Sequence, residues 1–446
     1  MRAKPCVAAQ ELALKSTQYV DADAAEAVVV SKDSALTRFA GNRIHQNVAE
    51  FDTKVSIRAI VGSRTGSAST NLLDERSLRE CAASAVAAAR VSPPDPDFTN
   101  LPGPGESGAA DVREPGLMLD PDERADAILS IVEQSRARGL EAADGIETSI
   151  DTVAVANSLG VMACATVATL RATVLSSGPA AGTGWASYYG ADIEGFDAVA
   201  IGDEAATLAL RGANPIDLEP GAYTVVLAPE AVADIVDFLG YAGFSARSYS
   251  EGRSFMSGRL GETIVSRAIT IEDDAHAPGS CGIPFDFEGQ PRHRVTLIGD
   301  GVAMTPVTDS YWAARMGSHN TGHALPAPNS LGPLPLDMRM RPGDVSLDAL
   351  IARVERGVYV TRFHYVNIED PVPVTLTGMT RDGTFLIENG ALTAPLKNLR
   401  FTQSAIEALG QVKGVASGLH RYKIMLGCAC VPGLLIDGWT FTGQTG

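Results

Sequence analysis

Two histidines four residues apart are the most obvious candidate metal ligands in this sequence. His319 and His323 enclose the tripeptide Asn-Thr-Gly. On a helix this spacing would place both imidazole rings on one face, where they could hold a metal ion. The surrounding glycine, serine and proline residues are poor helix formers, so a loop is the favoured prediction. A replacement metal site at His319 and His323 is the alternative.

A second candidate is the pair Cys428 and Cys430, which one residue separates. On a strand both sulfur atoms would project to the same side, as in a metal-binding or redox-active pair. Small buried cysteines on a core strand have the same spacing, and this interpretation is favoured. The other cysteines are scattered at positions 6, 81, 164 and 281, without the dense spacing of a disulfide scaffold. Reduced thiols are therefore predicted.

Four carboxylates lie close together in the sequence: Asp273, Asp274, Asp286 and Glu288. Such a group could bind calcium or form a catalytic pair, but paired-carboxylate catalysis needs a set separation in space. Structural roles in turns are the favoured interpretation. The sequence has no serine in a G-x-S-x-G motif, no P-loop and no glycine-rich dinucleotide motif after a strand. Serine hydrolysis and nucleotide chemistry therefore have no support.

Three aromatic residues, Trp185, Tyr188 and Tyr189, fall in a glycine- and serine-rich stretch, 178–195, that is predicted to be a loop. Exposed aromatic side chains could anchor a peptide or a partner subunit. They could equally cover the core of an adjoining sheet. The sequence does not decide between these two roles.

A series of short motifs runs through the second half of the chain. They are E-G-R-S-F at 251–255, G-R-L-G at 258–261, I-T-I-E-D-D at 269–274, P-F-D-F-E-G at 284–289, N-T-G-H-A at 320–324 and I-E-N-G at 387–390. Each is common by itself, but their order and spacing are specific. Together they resemble the TldD/PmbA (TldD/TldE) family of zinc-dependent peptidases, and the resemblance extends over nearly the whole chain.

The resemblance implies where a zinc site would lie. In the family's catalytic subunit a strand leads into a helix carrying H-E-x-x-x-H, whose histidines hold zinc and whose glutamate is the general base. The matching positions here are Asp237, Phe238 and Ala242. Phenylalanine cannot accept a proton, and alanine cannot bind a metal. The catalytic subunit also has a cysteine ligand near its C-terminus, and the comparable stretch here, 416–420, has none.

These differences resemble the TldE (PmbA) branch of the family, which lacks its own zinc site. The resemblance implies a non-catalytic subunit of a cytoplasmic zinc metallopeptidase that degrades or processes unfolded peptides. A TldD-like partner in a heterodimer would supply the zinc, and the peptide would be held in an extended form. No catalytic, metal or cofactor-binding residue is then expected in this chain. Two alternatives stay open: a stand-alone metallohydrolase with a relocated metal site, and a non-proteolytic peptide-binding scaffold.

Composition limits the possible partners. The chain has 446 residues and a formal net charge of −17, which argues against nucleic acid because phosphate binding needs a concentrated basic face. No run of about 18–20 apolar residues could cross a bilayer, and no signal-peptide core follows the start. A cytoplasmic protein that binds neither nucleic acid nor membrane is therefore expected.

The alternation of apolar residues predicts an α+β fold with mixed N-terminal sheets, covering helices and a β-rich, barrel-like C-terminal domain. We expect an N-terminal α/β subdomain at 15–90, a proline- and glycine-rich linker at 91–117, a central α/β subdomain at 118–215 and a C-terminal domain at 218–446. The predicted elements are strands at 25–30, 54–61, 67–70 and 223–227, one or two strands at 35–51 with a turn at Gly41-Asn42, and a strand pair at 147–174. Helices are predicted at 75–90 and 121–138, with Asp74 and Asp120 as their N-caps, and at 203–210 and 229–239.

Overall fold

The computed structural model describes residues 5–98, 100–104, 119–191 and 193–444. Within them the chain is a mixed α+β protein, made mostly of strands that form three sheets. The helices are α1 Pro5–Gln18, α2 Glu75–Val91, α3 Pro121–Arg136, α4 Ala198–Arg211, α5 Pro229–Gly243, α6 Ala246–Ser250, α7 Ser310–Met316, α8 Leu347–Ile351 and α9 Ala405–Gly410. The strands are β1 Ala24–Ala40, β2 Arg43–Val61, β3 Arg64–Thr70, β4 Glu141–Asn157, β5 Met162–Ser177, β6 Thr183–Gly190, β7 Gly221–Leu227, β8 Ile271–Asp273, β9 Val295–Gly299, β10 Val302–Ala303, β11 Asp337–Met340, β12 Arg356–Asp370, β13 Thr375–Glu388, β14 Ala391–Pro395, β15 Leu399–Ser404, β16 Val412–Val415, β17 His420–Lys423, β18 Cys428–Val431 and β19 Leu434–Gln444.

The first sheet has the strand order β3-β2-β1-β4-β5-β6. Every pairing in it is antiparallel, so the prediction of mixed N-terminal sheets is wrong. Short connections explain four of these pairings, because a tight turn reverses the chain onto its neighbour, whereas the β1–β4 pairing joins strands that are far apart in the sequence. The predicted turn Gly41-Asn42 is confirmed, with φ of 55° and 62°. Positive φ at both central residues suits a type I′ hairpin.

Helices cover one face of this sheet, as predicted. Asp74 caps α2 by accepting a hydrogen bond from the Ser77 amide at 3.0 Å. The helix then buries its alanine-rich face, including Leu78 and Ala82, in a cluster with residues of α1 and the first strands. Helices α3 and α4 pack with the other end of the sheet. Part of the uncovered face meets the P-F-D-F-E-G segment, where Phe285 packs among the valines of β1 and β4.

Two further sheets form the C-terminal region. One has the order β10-β9-β8-β11-β18-β17, with β17 at its edge. In the other, β12, β7, β19, β15 and β13 pair in turn, and β13 also pairs with β12. These pairings form a nearly closed ring, as the barrel-like prediction required. Helix α5 buries Val232, Ile235 and Leu239 in the main core of this region.

Besides the mixed sheets, two sequence predictions need correction. The predicted loop 178–195 contains strand β6, whose Gly184 lies so close to α4 that an added Cβ would come within 2.1 Å of the Ala205 carbonyl oxygen. The glycine therefore serves close packing rather than a loop. The linker at 91–117 stays a prediction; within it, Leu101 is buried against Ala24 and Ile60. Its remainder, 105–117, lies outside the described residues.

The second of these corrections concerns the thiols. Cys6 of α1 and Cys164 of β5 form a disulfide, whereas all six cysteines were expected to be reduced. Their separation of 158 residues in the sequence gave no sign of this contact. The remaining cysteines, at 81, 281, 428 and 430, are free thiols. Among the described residues, no helix is long and apolar enough to cross a membrane.

Candidate functional site

The two candidate histidine ligands do not come together. The segment from Gly317 to His323 is a loop, as predicted, and His319 is exposed. His323 is buried, and both of its ring nitrogens are engaged: Nδ1 with Thr321 Oγ1 and Nε2 with Asp273 Oδ1, each at 2.9 Å. Neither nitrogen is left for a metal ion.

Asp273 is the centre of a closed network. One oxygen pairs with the buried Arg292 and with His323, and the other accepts the backbone amides of Leu336 and Asp337 at 2.7 Å. Burial alone would raise the pKa of Asp273, but Arg292 and His323 outweigh it and hold the pKa well below its ordinary value. Asp273 is therefore a buried, fully paired anion that fastens β8 to β11.

The other predicted carboxylates also serve turns. Asp286 accepts the amides of Glu288 and Gln290 at 2.9 Å with one oxygen, and the amide of Ala324 at 3.0 Å with the other. Glu288 reaches the first sheet, where Arg58 donates to it at 3.2 Å and to Glu26 at 2.9 Å. Asp274 accepts the amide of His276 at 2.9 Å, closing a local turn. The favoured structural interpretation of this acidic group is confirmed by these bonds.

The positions that the resemblance matches to the zinc motif lie on α5, directly after strand β7. Phe238 packs against the main core, and Ala242 is buried. Asp237 stays partly exposed, and its carboxylate accepts the backbone amide of Met425 at 3.0 Å. Two of these three side chains have no donor atom for zinc, so the residues present do not fit the family's metal site. Among all described residues, no group of three or more His, Cys, Asp or Glu side chains is placed to hold a metal ion.

A cavity of about 210 Å³ lies against the polar face of α5. Three carboxylates of the helix line it: Glu230, Asp234 and Asp237. Their spacing of four and three residues places them on one stripe of a helix that is otherwise apolar. The opposite wall comes from strand β6 and from residues 422–425 at the end of β17. The cavity therefore lies between two sheet edges, β6 and β17.

Burial changes the acidity of this stripe. It raises the pKa of Glu230 to about 7, although Arg362 and the Trp185 N–H act in the opposite direction. It also raises the pKa of Asp234 well above its ordinary value, and the charges of Glu230 and Asp237 raise it further. A carboxyl group with a pKa near 7, such as that of Glu230, can both donate and accept hydrogen bonds at neutral pH. A peptide backbone offers both a donor and an acceptor to such a group.

The aromatic residues of β6 line the cavity and cover the core, while anchoring of a peptide or a partner subunit stays a prediction. Trp185 forms a cavity wall, donates from Nε1 to Glu230 at 2.9 Å, and lies 4.2 Å from the guanidinium of Arg362. Tyr188 also reaches the cavity but packs on Phe196, with ring centroids 5.4 Å apart, against the core under α3 and α4. Aromatic walls and core cover therefore come from the same strand.

A second cavity, of about 360 Å³, adjoins the first. Both are lined by Arg171, Tyr189, Lys423, Ile424 and Met425, and together we call them the groove. Met425 is 56% exposed at this place. The groove combines carboxylates, three cations (Lys32, Arg171 and Lys423), aromatic rings and an exposed thioether. Sequence reasoning missed Glu230, Asp234, Arg171 and Lys423, although the acidic stripe on an apolar helix was a visible signal.

Comparison with known proteins identifies the family of this chain. The model of the PmbA/TldA metallopeptidase C-terminal domain matches residues 220–443, and that of PmbA/TldA metallopeptidase domain 1 matches residues 25–89. A metalloprotease PmbA homolog of Haemophilus influenzae is 25% identical over 462 residues, which cover 96% of this chain and 97% of that protein. A metalloprotease of Methanothermobacter thermautotrophicus is 27% identical over 202 residues, and the chain matches only 43% of its length.

Solved structures show the same fold. The crystal structure of TldE from Thermococcus kodakarensis superposes with a TM-score of 0.85 at 19% identity, covering 97% of this chain and 99% of that one. A putative modulator of DNA gyrase from Bacteroides thetaiotaomicron gives a TM-score of 0.83 at 21% identity, covering 98% of this chain and 99% of the other. Since the C-terminal family model alone spans half of the sequence, the chain belongs to the PmbA/TldD metallopeptidase family.

Proposed function

We propose that this chain is the TldE-like, non-catalytic subunit of a cytoplasmic TldD/TldE-type zinc metallopeptidase that acts on unfolded peptides. A TldD-like partner supplies the zinc and the general base. The observation that carries the proposal is on α5, where Phe238 and Ala242 stand at the positions that the resemblance matches to the glutamate and the second histidine of the catalytic motif. Neither side chain can activate water or bind a metal.

The groove supports a role in holding the peptide. It lies beside the vacated helix positions, so a peptide that reached the equivalent place in this subunit would meet Glu230, Asp234 and Trp185 instead of a metal. Polar groups for the backbone and aromatic walls for side chains are the usual features of a peptide-binding cleft. This subunit would then contribute affinity and specificity, and the partner would contribute bond cleavage.

Co-expression with a TldD-like partner tests the division of labour. We expect peptidase activity on an unstructured peptide from the pair, and none from this chain alone. Zinc measured by elemental analysis should be near one ion per pair and absent from the isolated chain. Activity or stoichiometric zinc in the isolated chain would overturn the proposal and favour the stand-alone hydrolase. A pair no more active than the partner alone would favour the non-proteolytic scaffold.

A matched pair of lysine variants tests the groove. Lys423 lines both cavities, whereas Lys413 is an exposed lysine on β16 away from the groove. In the assembled pair, Lys423→Glu should raise KM at least about threefold with little change in kcat, because it alters ground-state binding only. Lys413→Glu should leave both constants unchanged. Equal effects of the two variants would show that the peptide does not use this groove.

A further inference from the structure

A group of thiols beside the groove is not explained by the proposed function. Cys428 begins β18 and is paired in register with Asp337 of β11. Its Sγ donates to Asp337 Oδ1 at 3.2 Å. The other oxygen, Oδ2, accepts hydrogen bonds from the Ser280 hydroxyl and from the Gly282 amide, the latter at 3.1 Å. The carboxylate therefore holds the loop that carries Cys281 directly against Cys428.

The two thiols of this group are neighbours and differ in accessibility. Asp337 is hydrogen-bonded to Cys428 and also to Ser280 and Gly282, the residues on either side of Cys281. Cys281 is partly exposed, whereas Cys428 is buried. Cys430 is also buried, but it lies two residues further along the same strand. Residues at that spacing on a strand cannot readily close a disulfide with each other, because their backbone is extended.

Cationic and hydroxyl groups surround Cys281. The guanidinium of Arg421 lies over the same loop, since a Cβ added at Gly279 would be 3.0 Å from its Nη1. The neighbouring Cys428 thiol, the charge of Arg421 and the Tyr189 hydroxyl lower the pKa of Cys281, although burial and the charge of Asp337 oppose them. Thiols in such partly exposed, electropositive surroundings are the reactive ones.

We propose that Cys281 is a peroxide-reactive thiol and that Cys428 is its resolving partner, so that oxidation joins the 279–282 loop to β18. The Cys281 thiolate attacks one oxygen of a hydroperoxide: an S–O bond forms, the O–O bond breaks, and the leaving oxygen takes a proton to become water or an alcohol. The Cys428 sulfur then attacks the resulting sulfenic acid. An S–S bond forms, the S–O bond breaks, and the leaving hydroxide combines with the Cys428 proton as water.

Two electrons pass from the sulfur pair to the peroxide, so the balance needs no other oxidant. The product would lie at the wall of the groove, because Tyr189 contacts Cys281 and lines both cavities. The inference does not depend on the partner subunit or on peptidase activity. Its test is therefore separate from the tests of the proposed function.

The experiment uses the full chain, pre-treated with a mild reductant that leaves Cys6–Cys164 intact, and dilute hydrogen peroxide. Peptide mapping should find a linkage between Cys281 and Cys428, and the protein should lose two titratable thiols. Before oxidation, iodoacetamide should modify Cys281 at least about tenfold faster than the buried Cys81. Oxidation of Cys281 to sulfinic acid without linkage, or alkylation no faster than that of Cys81, would overturn the proposal.

Three serine variants separate the roles. Cys281→Ser should leave Cys428 reduced under peroxide. Cys428→Ser should accumulate a sulfenic acid at position 281 that dimedone traps, and this variant keeps the test informative if the linkage is hard to map. Cys430→Ser is the matched control from the same strand and should still form the linkage. Loss of the Cys281–Cys428 linkage in Cys430→Ser, or oxidation of Cys428 in Cys281→Ser to the same extent as in the wild type, would contradict the assignment.

Discussion

Asp273 and Asp234 are both aspartates in the C-terminal region, and their surroundings differ. Asp273 is fully buried and receives an arginine, a histidine and two backbone amides. Asp234 faces a cavity beside Glu230 and Asp237, and the cations that line this cavity, Arg171 and Lys423, come from other elements. The first arrangement uses every lone pair for the fold. The second keeps polar capacity available for something outside the chain.

The difference shows that the recognisable motifs and the side chains able to bind a ligand lie in different places. The conspicuous segments around Asp273, Asp286 and His323 build turns and buried pairs, and their side chains are occupied. The groove beside α5 has no catalytic motif, but its carboxyl groups have raised pKa values and face open space. In this chain the recognisable motifs are therefore structural, and the candidate site is built from residues that form no recognisable motif.

The largest expected effect comes from breaking the closed network. Asp273→Asn leaves Arg292 as a buried cation without its anion, and we expect a loss of roughly 3–5 kcal/mol in the free energy of unfolding. Urea unfolding followed by tryptophan fluorescence measures it, because Trp439 is buried in the ring of strands. The control is Glu272→Gln on the same strand, whose partner Arg294 is exposed, with an expected loss below about 1 kcal/mol.

The acid dependence of this effect has a defined sign. Because the folded-state pKa of Asp273 is held below its ordinary value of 3.8, its contribution is fully present above that pH. It is lost as the pH falls below 3.8 toward the folded-state pKa. The difference between wild type and Asp273→Asn should therefore shrink in that range. A difference that stayed constant down to acid unfolding would mean that packing, rather than charge, accounts for the loss.

A smaller effect of opposite sign is expected in the groove. The pKa of Glu230 is raised from 4.5 to about 7, so its ionisation weakens the fold as the pH rises between these values. Glu230→Gln removes that penalty but keeps an acceptor for Trp185. Relative to wild type, we expect equal stability near pH 4 and a gain of roughly 1–3 kcal/mol at pH 8. Unfolding at both pH values, with the exposed Glu133→Gln as control, measures it.

If Glu230→Gln were destabilising at pH 8, the carboxylate would be a satisfied structural anion like Asp273. The distinction between the two regions would then fail. If Glu230→Gln gained stability at pH 8 but the assembled pair lost affinity for peptide, Glu230 would be a binding group whose ionisation destabilises the fold.

Local signals in the sequence predicted the helices and hairpins well. Asp74 and Asp120 were identified as helix caps, and Gly41-Asn42 as a turn, because capping and turn formation depend on neighbours in the sequence. Strand β6 was missed since Gly184 suggested a loop, whereas its reason is the approach of α4 from a distant part of the chain. The antiparallel order of the first sheet and the Cys6–Cys164 contact likewise depend on the three-dimensional fold.

Sequence reasoning identified one wall of the candidate site, on α5, and missed the other. The positions Asp237, Phe238 and Ala242 followed from the register of the motif after β7, and α5 carries all three. The other wall of the groove could not be predicted, because Trp185, Arg171 and Lys423 come from three strands in two different sheets. Only the folded chain brings these residues opposite the acidic stripe.

The smallest expected effect concerns the hydrogen bond between Trp185 of β6 and Glu230 of α5. Trp185→Phe removes the N–H that donates to Glu230 at 2.9 Å and weakens the ring contact with Arg362, so we expect a loss of about 1–2 kcal/mol. A double-mutant cycle with Glu230→Gln isolates the pairwise coupling. Because a hydrogen bond to an ionised acceptor is stronger than one to a neutral acceptor, the coupling should be larger at pH 8 than at pH 5. A coupling near zero at both pH values would mean that Trp185 is held by packing and by Arg362 alone, and that Glu230 is free to bind a peptide.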